Sequence, residues 1–409
     1  MSDIVLSASV RQNLLSLQST ANLLATTQNR LATGNKVNSA LDNPTNYFTA
    51  QSLNSRASDI NNLLDGIGNG VQVLQAANTG ITSLQKLVDT AKSIANQALQ
   101  TSQGYTTKSS DTFVGSATGG TGAATAANLN QGALTGAKFQ IQDASGNNIN
   151  ITIGATYSAL SGGAATVNSL DDLNNVLSAA GLSVSASLGS ATDSLTFTST
   201  NDSAGQTITQ TGTAPTSADA IDIKATGATG TVTAAVADVQ SQATRASLVS
   251  QYNAVLNQIA TTAQDSSFNG VNLLNGDNLK LVFNETGKST LNIAGFTDDG
   301  TGLGLKNLAN TDFQDNTSTN SVLTALNTAS DTLRSQASTL GSNLSVVQIR
   351  QDFSQNLINV LQTGASNLTL ADTNTEAANS QALSTRQSIA VSALALANTS
   401  QQSVLKLLQ

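Results

Sequence analysis

The stretch RLATGNKVNSALDNP, residues 30–44, separates two long helical patterns. Residues 5–32 repeat apolar side chains at heptad spacing, and residues 45–100 do so again on the other side. Between them lie Gly34, Pro44 and four Asn or Asp residues, with little periodicity. Residues of these types favour turns and helix ends. The stretch therefore predicts the end of one long helix and the start of another.

The first helical pattern predicts an amphipathic helix that packs along a partner helix, because its apolar positions follow a 3.5-residue period. Gln28 interrupts this period. The predicted stripe consists of Val10, Leu14, Leu17, Ala21, Leu24 and Leu31.

The second helical pattern is longer and keeps strict seven-residue spacing. Asp42 or Asn43 before Pro44 is a typical pair of N-cap and first helical residue. At about 1.5 Å per residue the run from the first to the last apolar position spans roughly 65 Å. The predicted stripe consists of Leu53, Ile60, Ile67, Leu74, Ile81, Val88 and Ala95.

Residues 101–238 differ in composition, being rich in Gly, Ser, Thr and Ala and strongly acidic. Alternating runs predict short strands, and SLDDLNNVLSAAG, residues 169–181, predicts a short helix capped by Ser169 or Asp171 and stopped at Gly181. This part of the chain reads as one α+β domain inserted between helices. The predicted strands lie within AKFQIQD (137–143), NINITIG (148–154), LSVSASL (182–188), SLTFTST (194–200) and QTITQTG (206–212).

Helical patterns return after the insert, at 239–265 and 318–363, and residues 266–295 between them predict a turn and a hairpin. On the first of these helices we expect Leu248, Tyr252, Val255 and Ile259 to share one face. On the second we expect two apolar runs, Val322, Leu326, Ala329 and Leu333, then Val346, Phe353 and Val360.

The C-terminal end mirrors the N-terminal end. A polar, weakly periodic segment at 364–376 predicts a second joint, and 377–409 predicts a final helix. Both ends must meet, since each apolar stripe would otherwise stay exposed. The predicted terminal stripe consists of Leu383, Ala390, Leu394, Ala397, Val404 and Leu408.

Composition excludes several functional classes. The 409-residue chain has no His and no Cys, which rules out nearly all zinc, copper and iron sites and the nucleophilic pairs that use those residues. A net charge of −8 argues against nucleic acid, which needs a basic face. We therefore expect no enzyme, no cofactor, no metal and no nucleic-acid partner.

The chain shows no membrane signal. No apolar run reaches the eighteen residues of a transmembrane helix, and the start MSDIVLSASVRQNLL lacks the basic segment of a Sec signal peptide. Taken alone, these features predict a cytoplasmic protein without membrane contact.

Several motifs together resemble bacterial flagellins. FNGVNLL (268–274) resembles that family's turn after its third helix, and SIAVSALALANTSQQSVLKLLQ resembles its C-terminus. SLDDLNNVLSAAGLSVSAS resembles a small repeat of flagellin middle domains. The stretch RLATGNKVNSALDNP (30–44) resembles the family's N-terminal signature, except that Ala32 replaces the usual Ser. Its matching residues are Arg30, Leu31, Thr33, Gly34, Asn38, Ser39, Ala40 and Asp42.

The resemblance implies a mainly α fold, in which long antiparallel coiled-coil-like helices from both termini form a rod with a β-hairpin and an inserted α+β outer domain. It implies inner-tube helices at 1–40 and 370–409, a helical domain with hairpin at 41–100 and 239–369, and a solvent-facing domain at 101–238. The insert precedes helix 239–265, whereas outer domains of well-known flagellins follow the hairpin. We therefore expect it at a different corner of the rod.

The function implied is that of a structural subunit that self-assembles into the flagellar filament for motility. The implied partners are further copies of itself, the flagellar type III export apparatus, a flagellin chaperone, and hook-associated and cap proteins. The implied location is extracellular, after export without a cleaved signal peptide, which replaces the cytoplasmic expectation. Alternatives are a hook–filament junction protein, which shares both termini, and a secreted β-rich adhesin.

Some residues allow two interpretations. The joint motif of Arg30, Gly34, Asn38, Asp42 and Pro44 fits either a polar contact between subunits or helix capping and turn chemistry. The terminal stripes could also be ordinary bundle core.

Other polar clusters have simpler explanations than a binding site. The pairs Asp171–Asp172 and Asp298–Asp299 lack calcium-loop spacing and fit capping or turns better. The Gly-rich GGTG at 119–122 lacks a phosphate-loop Lys and fits a flexible connection. The Ser/Thr-rich insert fits either glycosylation or a plain soluble surface.

Overall fold

A computed structural model describes residues 8–118, 121–143, 146–210 and 220–407. Long helices occupy both terminal parts of this range, and a β-rich region lies between them, which confirms the mainly helical fold with a central insert. The helices are α1 (Ala8–Thr33), α2 (Pro44–Gln100), α3 (Leu170–Ala179), α4 (Val239–Asp265), α5 (Asn316–Thr369) and α6 (Thr373–Leu407).

The strands of the central region form two main sheets. The first eleven strands along it are β1 (Tyr105–Thr107), β2 (Ser110–Gly115), β3 (Lys138–Gln142), β4 (Asn148–Ile153), β5 (Ser158–Ser161), β6 (Ala164–Val167), β7 (Val184–Leu188), β8 (Ser194–Ser199), β9 (Thr207–Gln210), β10 (Ala220–Thr226) and β11 (Ala228–Thr233). β12 (Val236–Ala237) pairs with β1, while β13 (Leu279–Val282) and β14 (Thr290–Ile293) form a two-stranded sheet after α4.

The larger sheet has strand order β5-β6-β4-β3-β10-β9 and the smaller has order β11-β2-β8-β7. Pairing is parallel in β4–β6 and β9–β10 and antiparallel in the other pairs described within these sheets. In β3 the buried residues Phe139 and Ile141 alternate with more exposed ones, as expected for a sheet with one face on a core.

One core serves both sheets and α3. Its buried residues all come from positions 113–223, so the insert encloses its own apolar interior. At its centre three rings, Phe113, Phe139 and Phe197, contact each other at centroid distances of 5.1–5.9 Å. Such tilted and edge-to-face contacts add to the stabilisation from area burial.

Local chemistry explains where the helices begin. Asn43 accepts a hydrogen bond from the Asn46 backbone N–H (3.0 Å) directly before Pro44, so Asn43 caps α2. Ser169 forms a capping box with Asp172 at the start of α3, and Gly181 beyond its end has φ 71°. Asp238 caps α4.

The chain divides into two compact units, which we describe separately. The terminal unit contains Met1–Gln72, Lys280–Ile293 and Asn343–Gln409. The central unit contains Val73–Leu279 and Ala294–Ser342. The predicted three-part division at 40/41, 100/101, 238/239 and 369/370 stays a prediction.

In the terminal unit the β13–β14 hairpin packs against the long helices. A Cβ on Gly70 would come within 2.4 Å of Leu281 Cδ2, so the Leu281 side chain of the hairpin packs closely on the α2 backbone at this glycine. An ion pair of 2.8 Å joins Arg56 Nε to Glu285 Oε1. Arg350 of α5 lies 5.7 Å from the centroid of Phe283.

In the central unit a buried arginine fixes the end of α2. Arg245 on α4 is fully buried and donates to the backbone oxygens of Ser102 (3.0 Å), Thr101 (2.9 Å) and Phe313. Burial lowers the pKa of Arg245, and nearby Asp315 opposes that shift. A cation at a helix C-terminus also suits the helix dipole.

The structure agrees with most predicted elements and corrects three details. The C-terminal joint is shorter than the predicted 364–376: α5 continues to Thr369 and α6 begins at Thr373, since Ala365 is buried and Gly364 lies against Leu53. On α4 the predicted residues Leu248, Tyr252 and Ile259 are buried, but Val255 is only half-buried and its neighbour Leu256 is buried instead.

The third correction concerns α5. Val346, Phe353 and Val360 are exposed, while Val347, Ser354 and Leu361 are buried. Two seven-residue frames run one residue apart on this helix, and the buried positions within the chain follow the second frame, which has the polar Ser354 between two apolar residues. The apolar pattern therefore indicated the first frame, although the second one is buried.

Candidate subunit-assembly site

The joint between the terminal helices is a short β-bridge between two segments of the chain. The Lys36 and Val37 N–H groups donate to Thr369 O at 2.7 and 3.3 Å, and the Ala371 N–H donates to Gly34 O at 2.9 Å. Asn35 and Leu370 form the bridge pair between these bonds. The turn after α1 and the turn before α6 are thus hydrogen-bonded to each other.

Gly34 ends α1 in the left-handed region, with φ 70°. A residue with this geometry just beyond a helix commonly satisfies its last carbonyl groups. No heavy atom lies within 4 Å of a Cβ built at Gly34, so the need for glycine comes from the backbone angle alone.

Asp42 organises the loop between α1 and α2. Its Oδ2 accepts from the N–H groups of Asn38 and Ser39, both at 2.9 Å, and from Ser39 Oγ at 3.2 Å. The backbone N–H groups of Ser39 and Asn38 hold the pKa of Asp42 below its usual value, and the Ser39 group has the larger effect. The side chain of Asn38 also donates to Asn35 O (3.2 Å).

An ion pair links the two terminal helices beside the joint. Arg30 Nη1 in the last turn of α1 lies 3.5 Å from Glu376 Oε1 in the first turn of α6. Asp372 caps α6 by accepting from the N–H groups of Asn374 (3.0 Å) and Thr375 (3.2 Å). These bonds lower the pKa of the Asp372 carboxyl, and the bond from Thr375 has the larger effect.

The five residues of the predicted joint motif therefore lie close to one another in the chain's own capping network. Pro44 is the first residue of α2, and the other four take part in the bonds described above. This is helix capping and turn chemistry. A contact of the same residues across subunits stays a prediction.

The terminal helices α1 and α6 contact each other. On α1, Val10 is buried, Leu17, Ala21 and Leu24 are half-buried, and Leu14 and Leu31 are exposed. Thr27 is also buried, which the apolar pattern could not indicate because the residue is polar.

On α6 the half-buried positions step by three and four residues along one face. Leu383, Ala390, Leu394 and Ala397 lie on it, together with Gln387. Leu408 lies outside the described residues, and the side chain of Val404 is likewise outside the description.

The stripe predicted on α2 is largely interior. Leu53 is half-buried, and the remaining six residues are buried: Ile60, Ile67, Leu74, Ile81, Val88 and Ala95. In the terminal unit Ile60 and Ala57 form a small apolar cluster with Ile358 and Leu361 of α5.

Within the described residues, no group of three or more acidic side chains is placed to hold a metal ion. A search of the same residues for a helix with the length and hydropathy of a membrane span found none.

Charge is unevenly divided between the two units. By sequence, the terminal unit has nine Lys and Arg against eight Asp and Glu, a net charge of +1. The central unit has eight Lys and Arg against seventeen Asp and Glu, a net charge of −9. The acidity of the chain therefore belongs to the unit that contains the β-rich insert.

The fold and joint define a class of chain in which helices from both ends contact each other and a separate β-rich region lies between them. Comparison with known proteins agrees. The family model for the bacterial flagellin N-terminal helical region matches residues 5–112, and that for the C-terminal helical region matches 323–408. These matches at both ends of the chain support a bacterial flagellin.

Individual proteins with similar sequences are named as flagellins. The chain is 32% identical to flagellin FljM of Caulobacter vibrioides over 162 residues, which is 39% of this chain and 58% of that protein. It is 30% identical to flagellin A of Helicobacter pylori over 152 residues, 34% of this chain and 29% of that protein. The chain thus spans little more than half of the length of the Caulobacter relative and under a third of the other.

Proposed function

We propose that the protein is a structural subunit that self-assembles into the helical filament of the bacterial flagellum. The observation that carries the proposal is the pairing of the two flagellin-type regions: α1 and α6 contact each other and are tied together at the joint. Flagellins are structural proteins, and the proposed role is mechanical.

The finer arrangement belongs to the same proposal. α1 and α6 run antiparallel as a coiled-coil-like pair, which the Arg30–Glu376 ion pair beside the joint supports. They line the inner tube of the filament, α2, α4 and α5 form the outer tube, and 101–238 faces solvent. Head-to-tail contacts between identical subunits build an open helical polymer.

The proposal includes a route and partners. The subunit leaves the cell through the flagellar type III apparatus, bound beforehand by a flagellin chaperone, and polymerises outside the cell beneath a cap. Hook-associated proteins join the filament to the hook. The matches to the flagellin family models support each of these steps.

The experiment is polymerisation of purified full chain, examined by negative-stain electron microscopy beside the variant Leu394→Asp. The wild type should form filaments. The variant should keep the wild-type circular dichroism spectrum yet form none, since burying an unpaired carboxylate in the α6 contact face costs several kcal/mol. Ser187→Asp, on an exposed position of the insert, is the matched control and should polymerise.

Two results would overturn the proposal. A folded wild type that never polymerises, or that only extends filaments of a separate flagellin, would identify a junction protein instead. Normal filaments from Leu394→Asp would show that the α6 face is not an assembly contact.

A further inference from the structure

Three Asn–Gly dipeptides occur in the chain, at 69–70, 269–270 and 275–276. Such a pair can convert without an enzyme, because glycine has no side chain to keep its backbone nitrogen away from the preceding asparagine amide. The reaction needs that nitrogen free to reach the side-chain carbon Cγ in a suitable orientation. The hydrogen bonds of the glycine nitrogen therefore decide which of the three dipeptides can react.

The fold occupies the glycine nitrogen in two of the dipeptides. The first lies inside α2, where the Gly70 N–H belongs to the helical ladder of hydrogen bonds. In the third, the Gly276 N–H donates to Phe296 O at 2.7 Å, and Asn275 forms a β-bridge with Thr297. Each of these nitrogens must break a backbone hydrogen bond before it can attack.

Asn269 and Gly270 form the tip of a two-residue turn. Phe268 and Val271 on either side exchange backbone hydrogen bonds of 3.0 Å in both directions. The tip residues are exposed and have φ 49° and 80°, as in the tight turns that favour Asn-Gly. Within the described part of the chain, neither the Gly270 N–H nor the Asn269 side-chain amide has a hydrogen-bond partner. The same residues, chain neighbours apart, leave open space of 4 Å around a Cβ built at Gly270.

The base of this turn is anchored within the central unit. The buried side chain of Asn272 donates to Ala263 O and Gln264 O, both at 2.8 Å. Leu273 and Leu274 directly after it are buried. A chemical change at the exposed tip therefore leaves the contacts of the base in place.

We propose that Asn269 is a site of spontaneous deamidation in the folded protein. The Gly270 backbone nitrogen loses its proton and attacks Asn269 Cγ to form a C–N bond, and the side-chain nitrogen leaves as ammonia with that proton. Water then opens the resulting cyclic imide. Breaking the new bond to Cγ gives aspartate, whereas breaking the original peptide bond gives isoaspartate, which inserts a methylene into the main chain. Either product adds a negative charge at the tip, and the inference concerns the single chain rather than its assembly.

The test incubates the purified full-length monomer at pH 8 and follows Asn269 and Asn275 by mass spectrometry. Both lie on one tryptic peptide, 246–280, so fragmentation compares them in the same molecule. In the folded chain Asn269 should convert at least about tenfold faster, since the nitrogen that follows Asn275 is hydrogen-bonded and must open first. In guanidinium chloride, where both are free, the two rates should agree within about threefold. An aliquot digested at the start corrects for conversion during handling.

Asn269→Gln tests the assignment, because its longer side chain would have to close a larger ring. This variant should release less ammonia, whereas the matched control Asn275→Gln should release as much as the wild type. Both positions are exposed, so both variants should keep the wild-type circular dichroism spectrum. Equal conversion of the two sites in the folded wild type, or faster conversion of Asn275, overturns the proposal. So does a folded chain whose Asn269 stays intact over the time in which the unfolded chain converts.

Discussion

At the scale of single residues, the joint depends on a few polar groups and one backbone angle. Asp42 gathers three donors, Asn43 caps α2 and Gly34 supplies a positive φ. None of these needs a partner outside the chain. The polar groups of the joint therefore satisfy one another within a single chain and shape the loop between α1 and α2.

Gly34→Ala should lower the free energy of unfolding by about 1 kcal/mol, because only glycine takes φ near 70° without cost. Gly66→Ala is the control. Gly66 is an exposed position inside α2 with open space at its Cβ, so alanine should stabilise by up to about 1 kcal/mol. Urea denaturation of both variants measures the two effects. If both substitutions changed the free energy of unfolding in the same direction, the role given to Gly34 would be wrong.

Two buried carboxyl groups in the central unit should make stability depend on pH. Burial raises the pKa of Asp111 and of Asp298 to about 6, well above the ordinary value of an aspartate carboxyl. Between pH 4 and 6 the folded state therefore holds protons that the unfolded state has released. Stability should fall as pH rises through this window and level off above it.

The test compares urea midpoints at pH 5 and pH 7. The wild type should unfold at a higher urea concentration at pH 5. Asp111→Asn, which cannot ionise, should reduce the difference, while Asp89→Asn, an exposed position on α2, should leave it unchanged. A wild-type midpoint that is higher at pH 7 would contradict the assignment.

At the scale of elements, sequence reasoning succeeded where a pattern was local. Helix α4 was predicted at 239–265 and occupies those residues, and Ser169 with Gly181 correctly bounded α3. The five strands with clear alternation were also found. Short strands such as β5 (SALS) and β6 (AATV) were missed, because they depend on pairing partners rather than on their own residues.

Contacts between distant segments could not be predicted from the sequence. The parallel pairs β4–β6 and β9–β10 need strands that are not adjacent hairpins. On α5 the frame with Ser354 is buried and the wholly apolar frame is exposed, because burial depends on what lies opposite each face. Arg245 carried no signal at all, since a lone Arg in a helix is usually exposed.

Arg245→Met should lower the free energy of unfolding by at least about 3 kcal/mol, because it leaves the backbone oxygens of Thr101, Ser102 and Phe313 without their donors. Arg245→Lys keeps the charge but not the planar fork, and should also destabilise. Arg334→Met removes an exposed ion pair with Asp331 and should cost less than about 1 kcal/mol. A similar cost for Arg245→Met and Arg334→Met in urea denaturation would contradict the role given to Arg245.

At the scale of the whole molecule, the sequence separates a nearly neutral helical unit from an acidic unit that contains the insert. A surface of strong like charge keeps neighbouring filaments apart in solution, whereas a neutral surface permits close packing of copies. The insert has its own core, so its size and shape can vary without altering the helices. We propose that the helices form the contacts between subunits, whereas the insert faces solvent.

The most direct test is a helical reconstruction by electron cryomicroscopy of filaments grown from the purified full chain. The account predicts that α1 and α6 lie at the smallest radius around a central channel, with residues 146–210 at the largest radius. Filaments in which the β-rich insert forms the axial contacts, with α1 and α6 exposed on the outside, would contradict it.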